Sequence, residues 1–124
     1  MLQKFACGLV CAGALFSTSA LAATYALLPG YEYKLQPNVP ITLANTSFWK
    51  IKVTCTIHTP DESDLLVAKV LHKGGSIDGE QVSEGSVITR TVYEGKKIII
   101  IADSGAKVEL TNKGVSEITS VCAP

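Results

Sequence analysis

The chain has 124 residues, with 11 basic and 11 acidic side chains, and 47% of its residues are hydrophobic. A neutral balance without a basic stripe argues against nucleic-acid binding, and no run of lysines or arginines marks an anionic lipid anchor. A chain of this length forms one domain with a modest core.

The first element in chain order is an export signal. Lys4 is followed by an apolar run from Phe5 to Phe16, a polar break at Ser17, Thr18 and Ser19, and the small-x-small triplet Ala20-Leu21-Ala22. This order of charged, apolar and small residues is that of a secretory signal peptide. The run is about 12 residues, well short of the ~20 needed to span a bilayer. The sequence predicts cleavage after Ala22, with Ala23 the alternative, giving residues 1–22 as the signal and 23–124 as the mature domain. Cys7 does not follow the residue pattern of a lipoprotein signal, and neither does Cys11. Without Lys4 the basic count falls from 11 to 10 against 11 acids, a net charge of −1.

Removal of Cys7 and Cys11 with the signal leaves Cys55 and Cys122, which in an oxidising compartment have one pairing open to them. Neither belongs to a CxxC pair or lies beside a basic group that would mark a redox thiol. The expectation is a structural disulfide closing a loop of 68 residues, from 55 to 122 inclusive.

The mature chain reads as strands and turns. Gly75, Gly85, Gly95, Gly105 and Gly114 recur every nine or ten residues with β-rich runs between them, the rhythm of a sandwich or barrel. Strands are predicted over 32–35, 41–43, 48–58, 65–72, 87–93, 98–102, 107–111 and 115–122. In the 48–58 strand, Trp49, Ile51, Val53, Cys55 and Ile57 share one face by period two and should point inward, leaving Phe48 outside. The unbroken run Ile98-Ile99-Ile100-Ile101 predicts a central strand covered on both faces. The phase of 115–122 is mixed, and a bulge near Ser120 would reconcile it. Asp78-Gly79 reads as a hairpin turn. The resulting fold class is an all-β, Ig-like antiparallel sandwich of about 7–8 strands with one disulfide, the alternative being a small closed barrel.

No phosphate loop, GxSxG, HExxH or paired CxxC occurs, so no catalytic residue is assigned and no cofactor is implied. Tyr25, Tyr31 and Tyr33 cluster near the mature N-terminus and could stack on a sugar or a partner, although two of the three are expected to serve the core and its edge. Tyr31, Tyr33 and Phe48 are the candidate ligand contacts. His58 and His72 flank an acidic stretch; both histidines with one of Asp61, Glu62 or Asp64 could hold a metal, and the three acids could form a calcium loop. A solvated polar loop is the plainer reading. Asn45-Thr46-Ser47 is a formal glycosylation sequon, incidental behind a bacterial-type signal.

The order of a signal peptide, PNVPITLAN, FWKIKVTCTIH, ADSGAKVELTN and a C-terminal cysteine resembles small exported β-sandwich proteins of gammaproteobacteria, some of them type II secretion substrates. The resemblance implies export to the periplasm or beyond and carries no active residues. Three functions are therefore in view. The first is a non-enzymatic exported protein, a binding or interaction module or a secreted effector, working through loops and edge strands, with a protein or glycan partner. The second is a carbohydrate- or envelope-binding module, and the third a metal-binding protein using the His58–His72 loop.

Overall fold

A computed structural model describes residues 23–124; the predicted signal peptide, with Cys7 and Cys11, lies outside the described residues. Eleven strands follow one another: β1 (Ala23–Ala26), β2 (Tyr31–Leu35), β3 (Ile41–Ala44), β4 (Ile51–His58), β5 (Asp64–His72), β6 (Gly75–Ile77), β7 (Glu80–Val82), β8 (Val87–Val92), β9 (Lys97–Ala102), β10 (Lys107–Asn112) and β11 (Ile118–Ala123). They form two open sheets, ordered β1-β3-β10-β5-β8 and β2-β11-β4-β9-β6-β7. Every pairing between strands is antiparallel except that of β1 with β3. The architecture is a β-sandwich, not a closed barrel, and has more strands than the sequence suggested because short β1, β6 and β7 carry little alternation.

The core lies between the sheets, with Leu35, Val53, Ile57, Val92 and Ile118 fully buried. Cys55 and Cys122 form the expected disulfide. They face each other across the neighbouring strands β4 and β11, so the bond lies within one sheet, whereas an immunoglobulin-type bond joins two. β11 starts only at Ile118. Its inward residues Ile118, Ser120 and Cys122 keep one phase and its register is unbroken, so no bulge is needed. β9 is central as expected, yet Ile99 is 40% exposed, because none of the described residues covers the outer face of its sheet.

The glycine rhythm has a common cause. In the turns 83–86, 93–96 and 103–106 the fourth N–H returns to the first carbonyl at 2.9, 3.0 and 2.9 Å. The third residue, Gly85, Gly95 or Gly105, has φ of 91°, 84° or 80°, as a type II turn requires. The Asp78-Gly79 hairpin has φ of 51° and 83°, the two-residue turn that matches strand twist.

The sandwich also contains an internal pseudo-two-fold. Cys55 and Cys122 are 67 residues apart, and the same offset carries β2-β3-β4 onto β9-β10-β11. Leu35 pairs with Ile118 as Ala102 pairs with Ile51, and Tyr31 pairs with Cys122 as Ile98 pairs with Cys55. Thr42 and Glu109 pair with each other, as do the two cysteines, so the axis passes through both pairs. Even the turns correspond: Val39 N–H returns to Gln36 O with Asn38 at φ 62°, as Ala106 N–H returns to Asp103 O with Gly105 at 80°.

Candidate interaction surface

The axis relates two loops at opposite ends of the sandwich, 45–50 after β3 and 112–117 after β10. Each is built around a buried asparagine. Asn112 Nδ2 donates to Leu35 O at 2.9 Å and Ser116 O at 2.8 Å, and its Oδ1 accepts Gly114 N–H at 2.7 Å. Asn45 repeats the pattern: Nδ2 donates to Ala102 O at 3.0 Å and Trp49 O at 2.9 Å, and Oδ1 accepts Ser47 N–H at 3.0 Å. Buried amides replace the sheet hydrogen bonds that the chain forgoes as it crosses between sheets.

The 45–50 loop is further braced. Asn45 Nδ2 also reaches Asp103 O at 3.1 Å, and Ser104 Oγ donates to Ser47 O at 2.7 Å. Ser47 Oγ lies 2.5 Å from Asn45 Oδ1 and 2.8 Å from Trp49 O, so its one hydrogen serves one of them at a time. From this frame Phe48 projects 93% exposed and Trp49 66% exposed. Phe48 is outside as expected. Trp49 is not core as expected, because β4 begins at Ile51 and residue 49 precedes the strand phase that would turn it inward.

The other predicted contacts divide. Tyr33 is buried; its hydroxyl donates to Ala26 O at 2.6 Å and accepts Leu28 N–H at 3.1 Å, and its ring meets Tyr25 edge-on at 6.2 Å. It therefore holds the β1–β2 connection and is not free for a ligand. Tyr31 stays outside, on a cleft of about 360 Å³ shared with Tyr25, Glu32 and Lys34. Two cavities between the sheets measure only about 40 Å³ each, room for water rather than for a ligand of ordinary size.

The metal candidates do not come together. β4 and β5 lie in different sheets, and β5 carries the chain the length of the sandwich, so His58 and His72 end about 26 Å apart along the strand direction. His58 Nδ1 is 2.7 Å from Glu94 Oε2, and His72 Nδ1 is 3.6 Å from Glu84 Oε1. The His58 contact, followed by the Thr59 N–H, holds the Glu94 carboxyl below its usual range. Glu62 is exposed. Among the described residues no group of three or more His, Cys, Asp or Glu is arranged to hold a metal.

Asp61 and Asp64 do form a small cluster at the end that carries loop 112–117. Thr59 Oγ1 donates to Asp64 Oδ2 at 2.6 Å and Ser116 Oγ to Asp61 Oδ1 at 2.9 Å, while Asp61 Oδ2 is buried with no hydrogen-bond partner among the described residues. Burial, reinforced by the neighbouring Asp61 carboxyl, raises the pKa of Asp64, and the Thr59 bond opposes the rise. A Cβ on Gly114 would stand 2.0 Å from Asp64 Oδ1, so only glycine fits where the loop crosses this acid.

No protein-family model, curated protein or solved structure matches the chain. Among the described residues no helix is long and apolar enough to cross a membrane.

Proposed function

We propose that the chain is an exported, non-enzymatic binding module whose contact is the Phe48–Trp49 tip. The observation that carries this reading is the internal control. At the positions equivalent to Phe48, Trp49 and Lys50 the twin loop has Val115, Ser116 and Glu117, on the same asparagine frame. The frame therefore does not require aromatic rings. Leaving a Phe side chain in water forgoes roughly 1.5–3 kcal/mol of burial, and a braced loop loses little conformational freedom when its rings are covered. Aromatic anchors of this kind dominate binding energy. The signal peptide and the resemblance to exported sandwich proteins support action in the periplasm or outside the cell, where the disulfide is stable.

The test is a pull-down from envelope extract and from culture medium, comparing the processed protein with the triple variant Phe48→Val, Trp49→Ser, Lys50→Glu. The tip reading expects the variant to fold and to lose the captured fraction. Equal capture by both would transfer the function elsewhere, first to the cleft lined by the exposed Tyr25 and Tyr31, whose rings suit a glycan and whose occupancy a glycan array would report.

A further inference from the structure

We infer that the Phe48–Trp49 tip docks on an anionic lipid surface; the inference rests on the tip being the contact and names what it touches. Three observations favour lipid over a protein groove or a sugar. First, apart from the exposed Thr46 and Lys50, the polar groups of the loop are turned inward. The Asn45 amide, the Ser47 and Ser104 hydroxyls and the carbonyls of Ser47, Trp49, Ala102 and Asp103 bond to one another. The tip thus offers two rings and little to pair with sugar hydroxyls or a partner's backbone. Phe and Trp without polar company suit the boundary between headgroups and acyl chains, where Trp is enriched.

Second, the fold gathers lysines that the sequence scatters. Lys50 follows the rings. Lys73 lies over Gly105, with its Cε 3.6 Å from where a Cβ would stand, and Gly105 N–H bonds Asn45 O at 3.0 Å. Lys107 pairs with Ala44, the residue before Asn45. Asp103 and Glu84 share this end, 3.7 Å from Lys50 and 3.6 Å from His72 respectively, so three lysines stand there against two acids. Third, the opposite end carries Glu32, Asp61, Glu62, Asp64, Glu94 and Glu117 against Lys34, Lys96, Lys97 and Lys113. The field of the molecule therefore presents the tip to a negative surface and turns the acids away.

Trp49 is the only tryptophan in the sequence, so its emission reports the contact directly. The processed protein, residues 23–124, is titrated with phosphatidylcholine vesicles with and without phosphatidylglycerol. The expected result is a blue shift with the anionic vesicles only, reversed by salt. Phe48→Ser should weaken partitioning at least about tenfold, and Lys73→Gln or Lys107→Gln about fivefold each, with circular dichroism confirming the fold. No shift with either vesicle, or equal shifts with both, would overturn the inference. If vesicles fail while the pull-down still captures a protein or glycan through the tip, the lipid assignment falls and the tip reading stands. If the triple tip variant also captures as well as the parent, both fall.

Discussion

Loops 45–50 and 112–117 have the same hydrogen-bonded frame and opposite tips. One ends in Phe48, Trp49 and Lys50, the other in Val115, Ser116 and Glu117. They also differ in what supports them: Ser104 braces the first through Ser47, whereas Ser116 ties the second to the half-buried acid Asp61. The asparagine and its bonds are thus the cost of crossing from one sheet to the other, common to both ends. The tip residues are what remains to be explained by function. Even Val115, at 87% exposed, fits this division, since the frame pushes the third residue after its asparagine outward whatever it is.

The largest way to disturb the comparison is to open the axis on which it turns. Reduction, or Cys122→Ser, should cost about 2–5 kcal/mol in a urea melt. A thiol assay on unfolded, unreduced protein should find Cys55 and Cys122 unavailable. An unchanged melt would mean that strand pairing alone holds the two halves. Next come the frames themselves. Asn45→Ala and Asn112→Ala each strand buried backbone groups, so each should cost roughly 1–3 kcal/mol, within a factor of two of the other. A neutral Asn45→Ala would break the equivalence of the loops.

The acids under loop 112–117 make the two ends respond differently to pH. Asp64 titrates higher in the folded chain than when unfolded. Its protonated form is the one the fold favours, so its contribution is fully present below the ordinary aspartate value and is lost as pH rises through the raised folded value. Glu94 works the opposite way: its lowered value gives a contribution present above the ordinary glutamate value and lost as pH falls through the folded one. Asp61→Asn removes the neighbouring charge and supplies a donor. It should raise stability near neutral pH by about 1 kcal/mol and flatten the mildly acidic arm of a stability-against-pH curve; an unchanged curve would show that the two carboxyls do not interact. The smallest effect belongs to the tip. Phe48→Val, Trp49→Ser, Lys50→Glu should change stability by less than about 0.5 kcal/mol, since it gives one loop the residues its twin already carries.

Much of the sandwich was legible because period-two alternation is a local signal. Val53, Cys55 and Ile57 announced an inward face, Cys122 followed from counting cysteines, and Asp78-Gly79 marked its hairpin. The phase of β4 misled only at Trp49, where alternation was extended two residues past the point at which the strand starts. Ile98 to Ile101 misled because a hydrophobic run reports β propensity as well as burial. The His58–His72 grouping failed because a short loop says nothing about which sheet receives the next strand. The internal pairing was hidden for a deeper reason. Aligning residues 31–57 with 98–124 leaves four identities, Leu43/Leu110, Asn45/Asn112, Ile51/Ile118 and Cys55/Cys122. What the halves share is backbone geometry, which Asn38 and Gly105 serve equally well.

The place of β11 also governs the order in which the molecule can be completed. Ile118–Ala123 lies between β2 and β4, and Tyr31 must wait for Cys122, 91 positions further along the chain, to find its partner. A chain delivered N-terminus first, from a ribosome or through a pore, keeps one end of the larger sheet unassembled until its last strand arrives. Loop closures this long make folding slow, and Cys55 meets its own partner only at that final step. Delivery and oxidation thus converge on one late event, and the sulfur bridge seals a register that earlier portions of the chain are unable to test.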